Sequence, residues 1–205
     1  MLVRDEDLSA PARIRNAALA GFARNGVAAT SIRDVARAAG VSAGLVQHHY
    51  GTKDALRRAV NDYVVRVGAE ALAGLGESTS GDDLVAEIGN RITGLMRDHH
   101  DALLYVVRSA AEGDPGALEI FDSFVAVADA QIARLEREGL LRPGLDRRWA
   151  ALNVVVINLG TALLASAIDR HIDAPLLTPA QLQRWNVAST ELFRSGLFRT
   201  SDDTH

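Results

Sequence analysis

The sequence predicts an all-helical protein of about nine helices: an N-terminal three-helix domain followed by a larger helical body. Three observations point there. Apolar residues recur at three- and four-residue spacing along most of the chain, and no segment alternates with period 2 for long enough to make a strand. Helix starts and stops punctuate it, at Ser31 with Asp34, Asn25-Gly26, Gly40, Asp114-Pro115, Leu141-Arg142-Pro143-Gly144 and Thr178-Pro179-Ala180-Gln181. At 205 residues, with 48% apolar and 23% charged residues, the chain has ample length for the core of one domain or two unequal ones.

Taken in order, residues 1–8 read as a loose tail, and the charged opening MLVRDEDLSAPAR lacks the apolar run of a signal peptide. Ser9 and Pro11 open a first helix, buried through Ile14, Ala17, Ala18, Phe22 and Ala23 and ended by Asn25-Gly26. Ser31 and Asp34 form a capping box for a second helix, whose inner face is Ile32, Val35 and Ala36. Gly40 supplies the backbone freedom for a tight turn. Ser42 caps a third helix from Ala43 to about Tyr50, in which Val46 and Tyr50 point inward and Gly44, Leu45, Gln47 and His48 point out. A short helix with small residues at its start and polar ones on its outer face suits a DNA major groove. Residues 31–50 are therefore a helix-turn-helix.

Thr52 caps a fourth helix from Lys53 to about Leu75, buried through Ala55, Leu56, Ala59, Val60, Tyr63 and Val67. It joins the first domain (8–65) to the body (66–200), and Gly68 within it suits either a bend or close packing. As the only long element between the two, it is expected to carry any displacement from one to the other. Gly74 to Gly81 is turn chemistry and reads as a linker. Helices follow at about 82–97, 99–112, 115–139, 146–173 and 179–196. The last begins with a second capping box, Thr178 to Gln181, with Pro179 at its first helical position.

The first 60 residues resemble the DNA-binding domain of the tetracycline-repressor-like (TetR) family of bacterial transcription regulators. The matching residues are Ala17-Ala18, Phe22, Asn25-Gly26, Thr30-Ser31, Asp34-Val35-Ala36, Ala39-Gly40-Val41-Ser42, Gly44, His49-Tyr50, Lys53-Asp54 and Leu56. One departure stands out: Gln47 occupies a recognition-helix position where many members carry Tyr, so base preference does not carry over. The resemblance implies a homodimeric, cytoplasmic repressor that leaves a pseudo-palindromic operator in double-stranded DNA when a small-molecule effector binds its body. It implies no cofactor and no enzymatic activity. A ligand-independent architectural or division-regulating protein of the same fold is the alternative.

Charge agrees with that division. Net charge is −4 overall, yet residues 1–60 hold 9 Lys and Arg against 5 Asp and Glu, whereas the remainder holds 13 against 21. A basic first third on an acidic body is expected where one end meets phosphate. Ser42, with the backbone of Ala43 and Gly44, is positioned for phosphate at a helix N-terminus. Gln47 suits adenine and His48 suits guanine, while His49 and Lys53 suit phosphate. Thr30, Ser31, Arg33 and Leu45 complete the expected DNA-contacting set. Polar side chains on otherwise apolar body helices, Tyr105, Arg108, Trp149, Asn153 and Asn158, are the expected ligand anchors, although packing or a structural hydrogen bond accounts for each as well. Leu182, Trp185, Ser189, Leu192 and Gly196 recur at 3-4-3-4 spacing and Phe193 widens the stripe. With the uncharged helix before it, this surface suits a two-fold interface, with intramolecular core the plainer alternative.

Other classes are weaker. No cysteine is present, which removes disulfides, thiolate metal sites and cysteine nucleophiles. The 20 residues from Trp149 to Ile168 carry no charge and match a bilayer in length. Asn153 and Asn158 are costly in hydrocarbon and arginines flank both ends, so a buried helix is the expectation and no membrane contact is foreseen. His48-His49, His99-His100-Asp101 and His171 invite comparison with helical metal-dependent phosphohydrolases. Several ligands must converge for that, and the first pair is committed to the recognition helix, whereas capping accounts for His99 and His100.

Overall fold

The computed structural model describes residues 9–73 and 81–197, in which ten α-helices and no strand occur. They are α1 (Ala10–Asn25), α2 (Ile32–Ala38), α3 (Ala43–Tyr50), α4 (Lys53–Leu72), α5 (Gly81–Asp98), α6 (His100–Ala111), α7 (Pro115–Arg137), α8 (Arg147–Leu163), α9 (Ala165–Ile168) and α10 (Pro179–Leu197), with a 3-10 turn at Asp169–His171. The tail expected at 1–8 and most of the linker expected at 74–81 lie outside the described residues.

The count exceeds nine because the helix expected over 146–173 breaks at Leu164, and the chain bends there by 69°. Asn158 Nδ2 and Thr161 Oγ1 donate to carbonyls four residues back, those of Val154 (2.5 Å) and Ile157 (2.8 Å), and Gly160 lies between them. Such back-bonding loosens a helix. Beyond the break, Leu176 N donates to Asp169 Oδ1 at 2.6 Å and tucks the chain back. Among the described residues no single helix is long and apolar enough to cross a membrane.

Two caps depart from expectation. Ser9 occupies the N-cap of α1 without a side-chain cap bond. Thr178 donates its hydroxyl to Pro175 O at 2.8 Å, and Gln181 accepts from Arg184 instead of reaching back.

The first three helices share a core with the body. Ile14, Phe22, Val35, Val46 and Leu56 pack in one cluster with Tyr105, Val106 and Ile120. Helix α1 lies along α6, where the Phe22 and Tyr105 rings approach to 6.3 Å. Polar ties cross the same seam. Arg108 Nη1 donates to the C-terminal carbonyls of α1, Ala23 O (3.2 Å) and Arg24 O (2.6 Å), where the helix dipole favours a cation. Tyr105 donates to Asn61 Oδ1 at 2.6 Å, and Arg57 pairs with Asp114, which also caps α7. Helix α4 is therefore not the sole mechanical link between head and body, because the α1–α6 seam is a second one. Gly68 serves close packing: a Cβ there would lie 2.9 Å from Phe124 Cε1.

Within the body α8 packs on α6 and α7, while α10 packs on α5. A second cluster, including Met96, Leu103, Val155, Leu159 and Leu182, encloses a cavity.

Candidate nucleic-acid interface and ligand cavity

Helix α3 is held from three sides. Ser42 Oγ accepts from Leu45 N at 3.1 Å and starts it, the buried Val46 anchors its inner face, and Tyr50 donates its phenol to Pro11 O at 2.7 Å. The preceding turn passes through Gly40 at φ +65°, in the left-handed region that favours glycine. The Ser31–Asp34 capping box is present in both directions, and these hydrogen bonds hold the Asp34 carboxyl below its usual range.

With the inner face fixed, Gly44, Gln47, His48 and His49 are exposed. A Cβ on Gly44 would meet only Ser42 Oγ, at 3.8 Å, so nothing inside the protein requires glycine there. Open space above a glycine in the first turn allows close backbone approach from outside. Ala43 and Leu45 are half-buried, and Ser42 and Arg33 are exposed. Lys53 Nζ donates to Ala28 O at 3.2 Å, which holds the ammonium beside the preceding loop with further donors to spare. Ser31 is exposed, but its hydroxyl is engaged with Asp34.

Thr30 departs from expectation. It is 3% exposed, its hydroxyl donates to Gly26 O at 2.9 Å, and its methyl group fills the space beside Gly21. A side chain so enclosed cannot reach a phosphate. Thr30→Val is expected to cost about 1 kcal/mol of stability and to leave the operator affinity of the folded protein unchanged. A loss of operator affinity in the fully folded variant would return Thr30 to the contact surface.

The body cavity spans about 1150 Å³ of empty space, open solvent at its mouth included, between α5, α7, α8 and α10, with Leu103 of α6 also lining it. Of the five expected anchors only Asn158 lines it. Tyr105 and Arg108 lie in the α1–α6 seam, and burial raises the Tyr105 phenol pKa, partly offset by Arg57. Trp149 is 61% exposed, and Asn153 is exposed beside it on the outer face of α8. Polar residues on apolar helices were thus a poor guide, because hydrogen bonds to the head and the outer face of α8 account for four of them.

The stripe expected at a two-fold interface is turned largely inward in the single chain. Leu182 is fully buried in the body core, while Trp185, Ser189 and Phe193 line the cavity; Gly196 is exposed, and Leu192, at 60%, is the one strongly exposed apolar side chain of the stripe. Helix α10 turns this stripe inward because Asn186 is buried against α5, donating to Asn90 Oδ1 at 3.0 Å and leaving no room for a Cβ at Gly89. The exposed apolar surface lies instead on Trp149, Val156, Leu163 and Leu164 at α8, with Val187 and Leu192 on α10. Its signal was the uncharged stretch 149–168. Gln131, Phe124 and Met96, which line the cavity, were missed because inward residues facing a void and inward residues facing core share one periodicity.

Among the described residues no three His, Asp or Glu converge on a metal site. His99 stands at the N-cap of α6 without a side-chain cap bond, and burial holds the His100 imidazole below its usual pKa.

Comparison with known proteins agrees with this division of labour. Residues 14–60 match the family described as bacterial regulatory proteins, tetR family, and residues 98–199 match the tetracyclin repressor-like C-terminal domain. The HTH-type transcriptional regulatory protein RaaS of Mycobacterium tuberculosis is 32% identical over 162 residues, covering 79% of this chain and 74% of its own. The HTH-type transcriptional repressor Rv3405c of the same organism is 53% identical over 53 residues, 26% of this chain and 28% of its own. A TetR transcriptional regulator from Chloroflexus aurantiacus superposes with a TM-score of 0.71 at 19% identity, covering 93% of this chain and 97% of the other.

Proposed function

Because this chain belongs to the tetR family of bacterial regulatory proteins, we propose that it represses transcription as a homodimer whose paired α3 helices hold a pseudo-palindromic operator. The observation that carries this reading is the outward row Gly44, Gln47 and His48 on a helix pinned from behind by Val46 and Tyr50. Gln47 and His48 read base edges. Ser42, Arg33, His49, Lys53 and the first N–H groups of α3 meet phosphate. One α3 reads half an operator, so the dimer has a mechanical purpose, with recognition helices about 34–36 Å apart across one turn of duplex. A protein that reads the bacterial chromosome works in the cytoplasm.

The cavity receives a small-molecule effector. Release follows if the effector binds more tightly to a dimer whose heads are mis-spaced for the operator. Two contacts lead from cavity to head: Phe124 lines the cavity and abuts Gly68 of α4, and Leu103 lines it from α6, which also carries Tyr105 and Arg108.

Salt titration of DNA binding tests the reading. The logarithm of affinity should fall linearly with that of salt, and Lys53→Ala should weaken binding to every sequence while lowering the slope by about one unit. An unchanged slope would leave Lys53 as a tie to Ala28 only.

A further inference from the structure

We propose that the body cavity selects an uncharged, mainly hydrocarbon effector bearing a hydroxyl that bonds to the Gln131 carboxamide. This rests on the reading of the cavity as the effector site and names the chemistry of its occupant.

Two observations carry it. First, no described side chain lining the cavity is ionisable; its walls are aliphatic and aromatic, with Met96, Phe124, Trp185 and Phe193 among the larger groups. An ion placed there loses its hydration without a partner of opposite sign. Second, among the polar groups in the lining one is left both buried and unpartnered, whereas the donors of three others are engaged. Asn158 Nδ2 donates to Val154 O, Ser189 Oγ to Trp185 O, and Thr190 Oγ1 to Asn186 Oδ1, all within their own helices. Gln131 Oε1, by contrast, is buried without a hydrogen-bond partner. A buried acceptor left unpaired is costly, and a ligand donor that meets it recovers that cost. A hydroxyl suits the site whichever way the carboxamide is turned, because it both donates and accepts.

The test uses a matched series on one skeleton: 1-dodecanol, its methyl ether, dodecanoate and dodecylammonium, the first two below their solubility limits, the two ions below their micellar concentrations, and all near neutral pH. Trp149→Phe leaves Trp185, inside the cavity, as the one indole of the chain, so its fluorescence reports occupancy directly. Calorimetry and the melting temperature of the same dimer provide independent readouts. The alcohol is expected to bind about a hundredfold or more tighter than either ion, and about threefold to tenfold tighter than the ether. Gln131→Leu should abolish the preference for alcohol over ether, and Gln131→Glu should bring dodecylammonium level with the alcohol or above it.

Each outcome bears on a different statement. Dodecanoate or dodecylammonium binding wild-type protein as tightly as the alcohol overturns the exclusion of charge and leaves the cavity as an effector site. Equal binding of alcohol and ether, unaltered by Gln131→Leu, overturns the role of Gln131. Silence of Trp185 and of the melting temperature toward all four compounds overturns the proposal together with the reading of the cavity on which it rests.

Discussion

Val156→Asp is expected to leave the protein monomeric at micromolar concentration and to weaken operator binding by about two to four orders of magnitude. Six of the eight large apolar side chains exposed among the described residues lie on α8 and its C-cap (Trp149, Val156, Leu163, Leu164) or on α10 (Val187, Leu192). Monomers seldom leave such surface to water, and a two-fold pairing of these helices as a four-helix bundle would cover it. Val156 is 54% exposed in the single chain, so an aspartate there is harmless in the monomer and becomes a buried, unpaired charge in the dimer. The loss in DNA affinity follows because a monomer engages one half-site and forfeits the effective concentration that the second head gains from the first. Sedimentation reads the assembly. A dimer of undiminished affinity would move the interface away from α8. Trp185→Asp, which the sequence pattern alone suggests for this purpose, strikes the body cavity instead.

Phe22→Ala is expected to cost about 3–5 kcal/mol, the usual range for deleting a buried aromatic ring. Phe22 is 1% exposed and stands where α1 meets α6, against Tyr105 and in the cluster that unites the head with the body. Its removal opens a void at that seam, so the variant should also unfold in two steps, the head before the body. Urea titration followed by circular dichroism and by tryptophan fluorescence separates the two, because both tryptophans, Trp149 and Trp185, belong to the body. A cost below about 1 kcal/mol, well under that range, with coincident transitions, would mean that the seam contributes little to cohesion.

How far the sequence revealed these arrangements depends on the range of the interactions involved. The head was legible because its determinants are local: Ser31 with Asp34, Gly40, and Ser42 each act within a few residues, and the observed α2 and α3 follow them. The exception was Thr30, next to a cap and polar, whose burial depends on a carbonyl at Gly26 and a gap at Gly21. Helix boundaries in the body were mostly legible, apart from the break at Leu164, which apolar spacing cannot register because Leu163 and Leu164 are apolar on either path. Facing was not legible. The stripe Leu182, Trp185, Ser189 and Phe193 announces an apolar surface but not its partner, and Asn186 with Gly89, 97 positions apart, turns it inward. Tyr105 and Arg108 suggested a ligand because each is polar within an apolar helix, yet their partners, Asn61, Ala23 and Arg24, lie far away in sequence.

Selection of bound sequences from random duplexes, by wild-type protein and by Gln47→Ala, decides whether the outward face of α3 reads bases. The wild type should recover a pseudo-palindrome with half-sites about 10–11 base pairs apart. The variant should recover the same palindrome with preference relaxed at one symmetric pair of positions, at a cost of about 1–3 kcal/mol for each bidentate pair of hydrogen bonds removed. A variant that keeps every base preference while losing affinity uniformly would place Gln47 against the DNA backbone and leave the reading of bases to other residues.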